Sequence, residues 1–396
     1  MLDSHFARHW AEIVAATLIT VNALGCAPRR VPAPDREGRL WPTYLADLTR
    51  APSADQTLPA SLEVAWTAGT GKSAAGALAL GDSVVVVQSS DRLLTLLRRR
   101  TGERAWRARL DGPGATGPLF THDRVYTASG DVRGRVYQYD LHTGKRTWAR
   151  LVGPVVGPIA ISDRRVFAAT GAGWLYALDP SNGDVDWRRS FGAPLRAGVS
   201  IVGPNVVVAT DDSLFLVTQL DGQVSARGAT EGPVFSPPAI SDSLLVVSSP
   251  AGYVAAFDPR TLVRRWRASV AAPVFGSPVI ARDTVFTATM GGRFWKIPLG
   301  DPGSALSVDL QVPVRAAPTP IEGGVLIGTI EGELILLTSG SDDRHWRERV
   351  YAPIEEPPIV DQGMVLVADG RGRIHAWRER EEEGEEREEE GEERER

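Results

Sequence analysis

The sequence predicts an all-β fold: an eight-bladed β-propeller of four-stranded blades, closed by an N-terminal strand that completes the last blade. The first observation is a tryptophan that recurs about every 40 residues, or at a multiple of that spacing, at positions 66, 106, 148, 187, 266 and 346. The second is that each period contains four short apolar segments separated by Gly, Pro and Asp. Because one blade cannot bury both of its faces alone, we expect the copies to close into a ring.

Each period begins with a segment punctuated by glycine and proline, such as Gly117-Pro118-Leu119-Phe120, which we expect to be the innermost strand. A β-branched run such as 84–87 follows, and its continuous apolar character is typical of a strand buried on both faces. The fourth segment carries the recurring tryptophan, except near Ala226 and Leu306. The third segment alternates, and its eight copies begin at Leu93, Val136, Leu175, Leu214, Val254, Phe294, Leu334 and Ile374.

The two ends of the repeat region complement each other. The last third segment, residues 374–377, has no fourth segment after it. Residues 62–66 match the fourth segment but have no third segment before them. We therefore expect the N-terminal strand to complete the last blade, which leaves no open sheet edge there. These limits place the propeller at residues 61–378.

Residues 1–25 have the features of a lipoprotein-type signal peptide. The apolar run 13–25 is too short to span a membrane comfortably and suits the apolar core of a signal peptide. It ends in Ala23-Leu24-Gly25-Cys26, which resembles a bacterial lipobox with its leucine one place late. We expect lipidation of Cys26 and, from Ala27 after it, anchoring at the periplasmic face of the outer membrane. An ordinary signal peptide or an incidental thiol is the alternative.

Two low-complexity segments flank the predicted ring. Residues 26–60 are rich in proline and read as a tether between anchor and fold. Residues 379–396 contain Glu-Glu-Glu-Gly-Glu-Glu-Arg twice, with no apolar position for a coiled-coil seam. We expect a disordered acidic tail, with docking of a basic partner as the alternative. The formal net charge of −5 is concentrated there, because residues 378–396 hold 12 Glu and 5 Arg. The nearly neutral remainder indicates no nucleic-acid partner.

Two motifs that resemble binding signatures fit the propeller better. Residues 69–73 end like a phosphate-binding loop, but Trp66 stands where the first glycine belongs, and a strand is expected next. Residues 171–173 begin like a dinucleotide fingerprint, but Tyr176 replaces the third glycine, so we expect a hairpin turn. The recurring tryptophans are expected to pack between blades. We predict no catalytic residue, metal site or cofactor, because no metal-ligand spacing links the six histidines at positions 5, 9, 122, 142, 345 and 375.

The repeat resembles the pyrroloquinoline-quinone-type propeller repeat. Residues 173–187 carry the pattern Gly-x-Leu-Tyr-Ala-Leu-Asp-x-x-x-Gly-x-x-x-Trp, and residues 134–148 are the next clearest copy. Eight such blades behind a lipoprotein signal look most like the lipoprotein subunit of the outer-membrane β-barrel assembly machinery, the BamB family. The resemblance implies a non-catalytic scaffold that binds the barrel-forming, BamA-like assembly protein. It also implies that Leu195 and Arg196, which match a Leu-Arg pair in an inter-blade loop of that family, contact the partner. Ordinary loop residues are the alternative for this pair.

Two other function classes stay open. Quinone-dependent dehydrogenases share the repeat, but they bind the quinone with Ca²⁺, which prefers carboxylate and amide oxygens. Outside the signal region this chain has asparagine only at Asn182 and Asn205, both of which we expect in turns. A ligand-binding sensor that uses the central funnel belongs to the same alternative. The second class is a surface lipoprotein that binds a polysaccharide or another extracellular ligand.

Overall fold

The computed structural model describes residues 57–58, 61–121, 123–338 and 344–380 of this chain. In that part of the chain, 32 strands form eight antiparallel sheets of four strands each. The sheets are arranged as the blades of a ring, with contacts between the innermost strands of neighbouring blades. The prediction of an all-β, eight-bladed propeller is therefore confirmed.

The chain begins with β1 (Leu62–Gly69), and each blade is then built from its innermost to its outermost strand. Blade 1 comprises β2 (Ala79–Leu80), β3 (Val84–Gln88), β4 (Leu93–Arg98) and β5 (Arg104–Arg109). Blade 2 comprises β6 (Leu119–Thr121), β7 (Arg124–Ala128), β8 (Arg135–Asp140) and β9 (Arg146–Leu151). Blade 3 comprises β10 (Ala160–Ile161), β11 (Val166–Ala169), β12 (Trp174–Leu178) and β13 (Val185–Ser190). Blade 4 comprises β14 (Ser200–Val202), β15 (Asn205–Ala209), β16 (Ser213–Thr218) and β17 (Val224–Ala229).

The second half of the ring repeats this order. Blade 5 comprises β18 (Ala239–Ile240), β19 (Leu245–Ser249), β20 (Tyr253–Phe257) and β21 (Arg264–Ser269). Blade 6 comprises β22 (Val279–Ala281), β23 (Thr284–Ala288), β24 (Arg293–Pro298), a 3₁₀ turn (Pro302–Ser304) and β25 (Leu306–Asp309). Blade 7 comprises β26 (Thr319–Ile321), β27 (Gly324–Gly328), β28 (Glu333–Thr338) and β29 (Arg344–Arg349). Blade 8 comprises β30 (Ile359–Asp361), β31 (Met364–Ala368), β32 (Arg373–Glu379) and β1.

Strand burial follows the sequence pattern. Every residue of β3 is buried, as expected for a continuous apolar strand between two neighbouring blades. The eight third strands lie where the alternating segments predict them, and seven of them begin one residue earlier than expected. Asn205 is a correction, because it is the first residue of β15 and not part of the turn before it.

The ring closes between the two ends of the repeat region. β1 pairs antiparallel with β32, from Leu62 opposite Glu379 to Gly69 opposite Arg373. The N–H of Arg380 continues this pairing by donating to the carbonyl of Ser61 at 3.1 Å. The predicted closure is therefore confirmed, with one correction of its boundary. Glu379 belongs to β32 and not to the acidic tail, because it gains a strand partner from the other end of the chain.

A buried ion pair joins blade 1 to blade 8 next to this closure. The guanidinium of Arg99, just after β4, donates from Nη1 to Oδ2 of Asp361 at 2.8 Å and from Nη2 to the Asp361 carbonyl at 2.7 Å. Both side chains are almost fully buried. The indole N–H of Trp66 in β1 donates to the Arg99 carbonyl at 2.8 Å. Three segments far apart in the sequence therefore meet at one buried point.

The tryptophans of the outermost strands pack against the next blade. At four junctions the indole N–H donates to a backbone carbonyl of the turn between the third and fourth strands of that blade, at 2.7–3.1 Å. The ring lies on a glycine of the same turn, such as Gly144 under Trp106. A Cβ on Gly144 would come within 2.6 Å of the ring, and its φ of +68° is unfavourable for other residues. The prediction that these tryptophans pack between blades is confirmed where blades 8, 1, 2 and 3 meet the following blade.

The junction of blades 4 and 5 uses a different pair. Ala226 stands at the tryptophan position of β17, opposite Leu216 as Trp106 is opposite Leu96. In blade 5 the turn position of the glycine is Leu262, which is buried against Ala226 and adopts a φ of +55°. A leucine from the turn thus fills the space that the indole occupies elsewhere, at the cost of a backbone conformation that favours glycine.

Several predictions fall on residues outside the described part of the chain. They are the signal peptide, Cys26, nearly all of the tether 26–60, and the acidic tail from residue 381. Leu58 is described, and it packs against the core between blades 7 and 8. The stretch 70–73 connects β1 to blade 1 without a helix, and residues 170–173 form the turn between β11 and β12.

Candidate interaction surface

The loops that enter the innermost strands form a candidate interaction surface on one face of the ring. Because strands alternate in direction within each blade, all loops from an outermost strand to the next innermost strand end on the same face. In blades 4 to 8 these loops share a local pattern: a proline, a buried apolar residue, an exposed residue and a third, less exposed residue. The pattern directs one side chain from each loop into the ring and the next one outward.

The inward residue of each loop is an anchor. In the loops that enter blades 4, 6, 7 and 8, its backbone N–H donates to a carbonyl at or just after the end of the second strand of the preceding blade, as Val274 does to the Ser249 carbonyl and Ile354 to the Thr329 carbonyl. Its side chain is buried in a core cluster. All five anchors are at most 1% exposed, and they are Leu195, Val234, Val274, Val314 and Ile354.

The residues after the anchors form what we call the loop arc, which runs over five consecutive blades. All of them are exposed, including two phenylalanines at 41% and 37% exposure. The corresponding positions in blades 1 to 3 hold small or half-buried apolar side chains, so the arc covers only one side of the ring. The loop arc consists of Arg196, Phe235, Phe275, Arg315 and Glu355.

Neighbouring members of the loop arc hold one another in place. The Arg196 guanidinium carbon lies 6.0 Å from the centre of the Phe235 ring, and Arg315 lies 6.0 Å from the Phe275 ring. Nη1 of Arg315 also pairs with Oε1 of Glu355 at 3.1 Å. Nε of Arg196 pairs with Oδ1 of Asp211 at 2.9 Å. The result is an aromatic surface edged by cations, the composition that is enriched at protein–protein contacts.

Glu356 lies beside the loop arc, at the position that is Gly, Thr, Ala or Ser in the other seven loops. Part of its side chain remains accessible, yet its carboxyl group is closely surrounded at the contact between blades 8 and 1. Burial raises the pKa of Glu356 to about 8, and the neighbouring Glu355 carboxylate adds to the shift. The N–H of Gly76 and the charge of Arg315 act in the opposite direction.

The structure separates the two residues of the predicted contact pair. Leu195 is an anchor with no exposed surface, and it packs in a core cluster with Val199 and Leu175. Arg196 is exposed and belongs to the loop arc. A direct contact to a partner is therefore retained as a proposal for Arg196, whereas Leu195 positions the loop that carries it.

Four members of the loop arc were not predicted as site residues: Phe235, Phe275, Arg315 and Glu355. A signal for them exists in the repeat, since each stands two residues after a proline in a Pro-apolar-x pattern, as Arg196 does. Aligning the eight loops with one another would have identified this position as one that repeats around the ring. The sequence does not reveal in which loops the residue at this position is exposed, because burial in blades 1 to 3 depends on the neighbouring loops.

Among the described residues, no group of three or more His, Cys, Asp and Glu side chains is arranged to hold a metal ion. Nε2 of His375 lies 2.9 Å from Oδ2 of Asp369, and that carboxylate also accepts from backbone N–H groups of its own turn. Among the same residues, no helix is both long and apolar enough to cross a membrane.

Comparisons with known proteins agree with this architecture. A relative from Burkholderia pseudomallei, named outer membrane protein assembly factor BamB, is 24% identical over 247 residues, which cover 57% of this chain and 64% of the relative. The match thus spans just under two thirds of the relative's length. The crystal structure of BamB from Moraxella catarrhalis superimposes with a TM-score of 0.68 at 15% identity, over 80% of this chain and all of that one.

The same fold also occurs in an enzyme. A quinohemoprotein alcohol dehydrogenase from Comamonas testosteroni gives a TM-score of 0.71 at 12% identity, over 88% of this chain and 82% of that one. At such identities the likeness to a structure shows the fold alone. The sequence profile of the outer membrane protein assembly factor BamB matches residues 54–196, 133–295 and 284–386, which together cover most of the chain. The chain therefore belongs to the BamB family of outer membrane protein assembly factors.

Proposed function

We propose that this protein is a non-catalytic scaffold that binds a BamA-like, barrel-forming partner during outer-membrane protein assembly. Membership of the BamB family supports the process, and the relative from Burkholderia pseudomallei carries the same name. The loop arc supports the mode of action, because it is an exposed set of aromatic and charged side chains on rigidly anchored loops. The loop arc is the observation that carries the proposal.

The binding energy is expected to come from the phenylalanines and the specificity from the arginines. Aromatic and arginine side chains dominate the energetics of most protein interfaces. An arginine guanidinium already lies over each phenylalanine ring, so a partner that covers this surface needs little reordering of side chains. Phe235, Phe275 and Arg315 would then extend the contact that Arg196 begins.

The proposed location is the periplasmic face of the outer membrane, with a lipid on Cys26 as the anchor. Cys26 lies outside the described residues, and the lipobox-like sequence before it supports the assignment. The wild type is expected to incorporate labelled palmitate, and a Cys26→Ser variant is expected not to. Equal labelling of the two proteins, or no labelling of either, would contradict the anchor while leaving partner binding untouched.

The decisive experiment is affinity purification of the full-length protein from membranes, with co-purifying proteins identified by mass spectrometry. We expect the barrel-forming assembly protein with the wild type and at least tenfold less of it with an Arg196→Glu/Phe235→Ser double variant. Leu195 is left intact, because its replacement would disturb the fold.

The matched control changes two exposed apolar residues on the opposite face, Leu220→Ser and Val263→Ser, which are 71% and 61% exposed in the wild type. Both lie in turns between third and fourth strands. The control is expected to retain the partner at the wild-type level. A wild-type preparation without the assembly protein would overturn the proposed function, and unchanged recovery with the double variant would overturn the loop arc as its site.

No described residue favours the alternative of a quinone-dependent dehydrogenase. The side-chain oxygen of Asn182 accepts from the N–H of Asp184 within a turn. The side-chain oxygen of Asn205 accepts from the hydroxyl of Ser225 in β17, two strands away in the same blade. Both amides are thus engaged locally and do not converge on a common point.

A further inference from the structure

A cavity of about 520 Å³ lies where the outermost strand of blade 1 meets blade 2, and we call it the blade 1–blade 2 cavity. Its volume is in the size range of small-molecule sites. Its lining comes from the turn between β3 and β4, from residues 108–111 and from the hairpin of β8 and β9. All three segments belong to the described part of the chain.

The blade 1–blade 2 cavity has an excess of positive charge. Three guanidinium groups and one carboxylate contribute to its lining, which gives the lining a net charge of +2. The carboxylate belongs to Asp111, which pairs with Nη1 of Arg146 at 3.1 Å and with Nε of Arg135, beside the cavity, at 3.6 Å. Among the described residues, Arg92 and Arg109 have no ion-pair partner. A lining of this kind favours an anionic ligand.

Arg92 occupies a backbone position that belongs to glycine in most other blades. Its φ is +72°, and its carbonyl accepts from the N–H of Leu110, the first residue after β5, at 2.9 Å. Such a φ is unfavourable for a residue with a side chain, so the turn itself does not favour an arginine here. In five other blades the residue with the matching carbonyl bond is a glycine with a φ of +78° to +83°, and these are Gly173, Gly252, Gly292, Gly332 and Gly372.

Tyr139 contributes a buried hydroxyl to the same cavity. Its side chain belongs to the core between blades 1 and 2 and is only 2% exposed. Among the described residues, its hydroxyl makes no hydrogen bond, although the Arg146 guanidinium lies close enough to act on its charge. Burial raises the pKa of Tyr139 to about 12, so at neutral pH the hydroxyl keeps its proton and remains a donor. An anion bound to Arg146 would give this donor an acceptor.

The hydroxyl is specific to blade 2. Tyr139 lies opposite Val125 of the second strand, and the strand register identifies the matching residue in each of the other blades. None of the seven matching residues carries a hydroxyl, and they are Leu97, Leu178, Val217, Phe257, Ile297, Leu337 and Trp377. An apolar side chain therefore suffices for packing at this position.

We propose that the blade 1–blade 2 cavity binds the phosphate group of a phosphate monoester. The guanidinium groups of Arg92, Arg109 and Arg146 pair with the phosphate oxygens, for which the planar fork of arginine is well suited. The Tyr139 hydroxyl donates to one of these oxygens. A phosphate monoester carries about two negative charges at neutral pH, which matches the net charge of the lining.

The phosphate group belongs either to a soluble ester, such as a sugar phosphate, or to the head group of a lipid. The loop arc lies on the loops that enter blades 4 to 8, whereas this cavity lies between blades 1 and 2. The site is therefore separate from the proposed partner contact.

The test is calorimetric titration of the purified full-length protein at neutral pH with three probes. Glucose 6-phosphate is a soluble phosphate monoester, glucose is its neutral analogue, and dihexanoyl phosphatidic acid presents the same group as a lipid head group. We expect at least one of the two phosphate probes to bind at least tenfold more tightly than glucose. The phosphate probe that binds more tightly identifies the source of the group.

The Arg92→Gly variant removes one cation and supplies the glycine of the matching turns. We expect it to fold and to bind the tighter phosphate probe at least fivefold more weakly than the wild type. The matched control is Arg282→Gly, since Arg282 is also an exposed arginine with a positive φ, of +52°, but lies between β22 and β23 of blade 6. The control is expected to bind like the wild type.

The Tyr139→Phe variant keeps the buried ring and removes only the hydroxyl. Because that hydroxyl has no hydrogen-bond partner among the described residues, its loss is not expected to lower the melting temperature. We expect binding of the tighter phosphate probe to be at least threefold weaker. Far-ultraviolet circular dichroism verifies that each variant is folded.

The proposal would be overturned if neither phosphate probe bound the wild type more tightly than glucose. It would also be overturned if folded Arg92→Gly and Tyr139→Phe both bound within twofold of the wild type, since the site would then lie elsewhere. If Arg92→Gly does not fold, the Tyr139→Phe titration decides, and an unchanged affinity counts against the site.

Discussion

Leu195 and Arg196 are neighbours in the sequence and occupy opposite environments. Leu195 is completely buried among side chains of blades 3 and 4, whereas Arg196 is exposed and paired with Asp211. A Leu-Arg pair that looks like one contact element is therefore a structural residue followed by a surface residue. The two roles predict different consequences for stability.

Replacing Leu195 by alanine is expected to lower the free energy of unfolding by about 2–5 kcal/mol, because a buried leucine leaves a cavity. Replacing Arg196 by alanine is expected to change it by less than about 1 kcal/mol, because an exposed ion pair contributes little. Urea unfolding followed by circular dichroism measures both. Val234→Ala, at the anchor position of the next loop, serves as a control and should resemble Leu195→Ala. Equal effects at positions 195 and 196 would contradict the assignment of roles.

Glu356 should make stability depend on pH. Its pKa is raised from 4.5 to about 8 in the folded protein, so the folded state holds this proton when the unfolded chain has lost it. The stabilising contribution is fully present below the unfolded pKa and is lost as pH rises toward the folded pKa. We expect Glu356→Gln to unfold about 2–4 °C above the wild type at pH 8 and less than about 1 °C above it at pH 5, after allowance for partial exposure.

Differential scanning calorimetry across pH 4.5–8.5 measures this difference. Glu322→Gln, a change at an exposed carboxylate of blade 7, is the control and should follow the wild type. Parallel melting curves for wild type and Glu356→Gln over the whole range would contradict the raised pKa.

At the scale of the blade, one space between neighbours is filled in two ways. Four junctions fill it with an indole that lies on a glycine, and the junction of blades 4 and 5 fills it with Leu262 facing Ala226. The two solutions exclude each other, because the indole needs the volume that Leu262 occupies. Residues 226 and 262 should therefore be strongly coupled.

Leu262→Gly alone is expected to lose about 2–4 kcal/mol, because the cavity cost exceeds the relief of a positive φ. Ala226→Trp alone is expected to lose at least about 1 kcal/mol through overpacking. The double variant recreates the arrangement of Trp106 on Gly144 and should be more stable than the sum of the single effects by at least about 2 kcal/mol. A double-mutant cycle in urea measures the coupling, and additive effects would refute the exchange of fillers.

At the scale of the whole molecule, closure joins residues more than 260 positions apart in the sequence. The β1–β32 pairing and the Arg99–Asp361 ion pair both span it. Without β1 the last blade would have only three strands, with β32 as its edge. The buried ion pair lies beside this closure and links blade 8 to blade 1.

Asp361→Leu is expected to destabilise the protein by about 3–5 kcal/mol, because it leaves the buried Arg99 guanidinium without its carboxylate. An Arg99→Met/Asp361→Leu double variant should recover at least about half of that loss, since neither charge is then buried. Urea unfolding gives both values. The exposed pair Arg196–Asp211 provides the control, with less than about 1 kcal/mol lost on removing Asp211. An Asp361→Leu variant as stable as that control would contradict the role of the pair.

The sequence alone determined the number of blades, the order of strands and the closure. These follow from local features that repeat, such as Trp106 and Trp148 or the glycine turn of residues 173–187, and repetition makes weak local signals add up. It also indicated the BamB family. The repeated position that the loop arc occupies can be recognised in the sequence once the loops are aligned.

Only the tertiary structure decided which side chains are exposed and can contact a partner. Leu195 is buried and Phe235 is exposed, although both belong to the same loop pattern, because one faces the core between blades and the other faces solvent. The substitution of Leu262 for an indole likewise depends on two blades at once. Contacts between blades join residues about 40 positions apart, and the physical environment of each side chain is set by both partners, so no single stretch of sequence contains it.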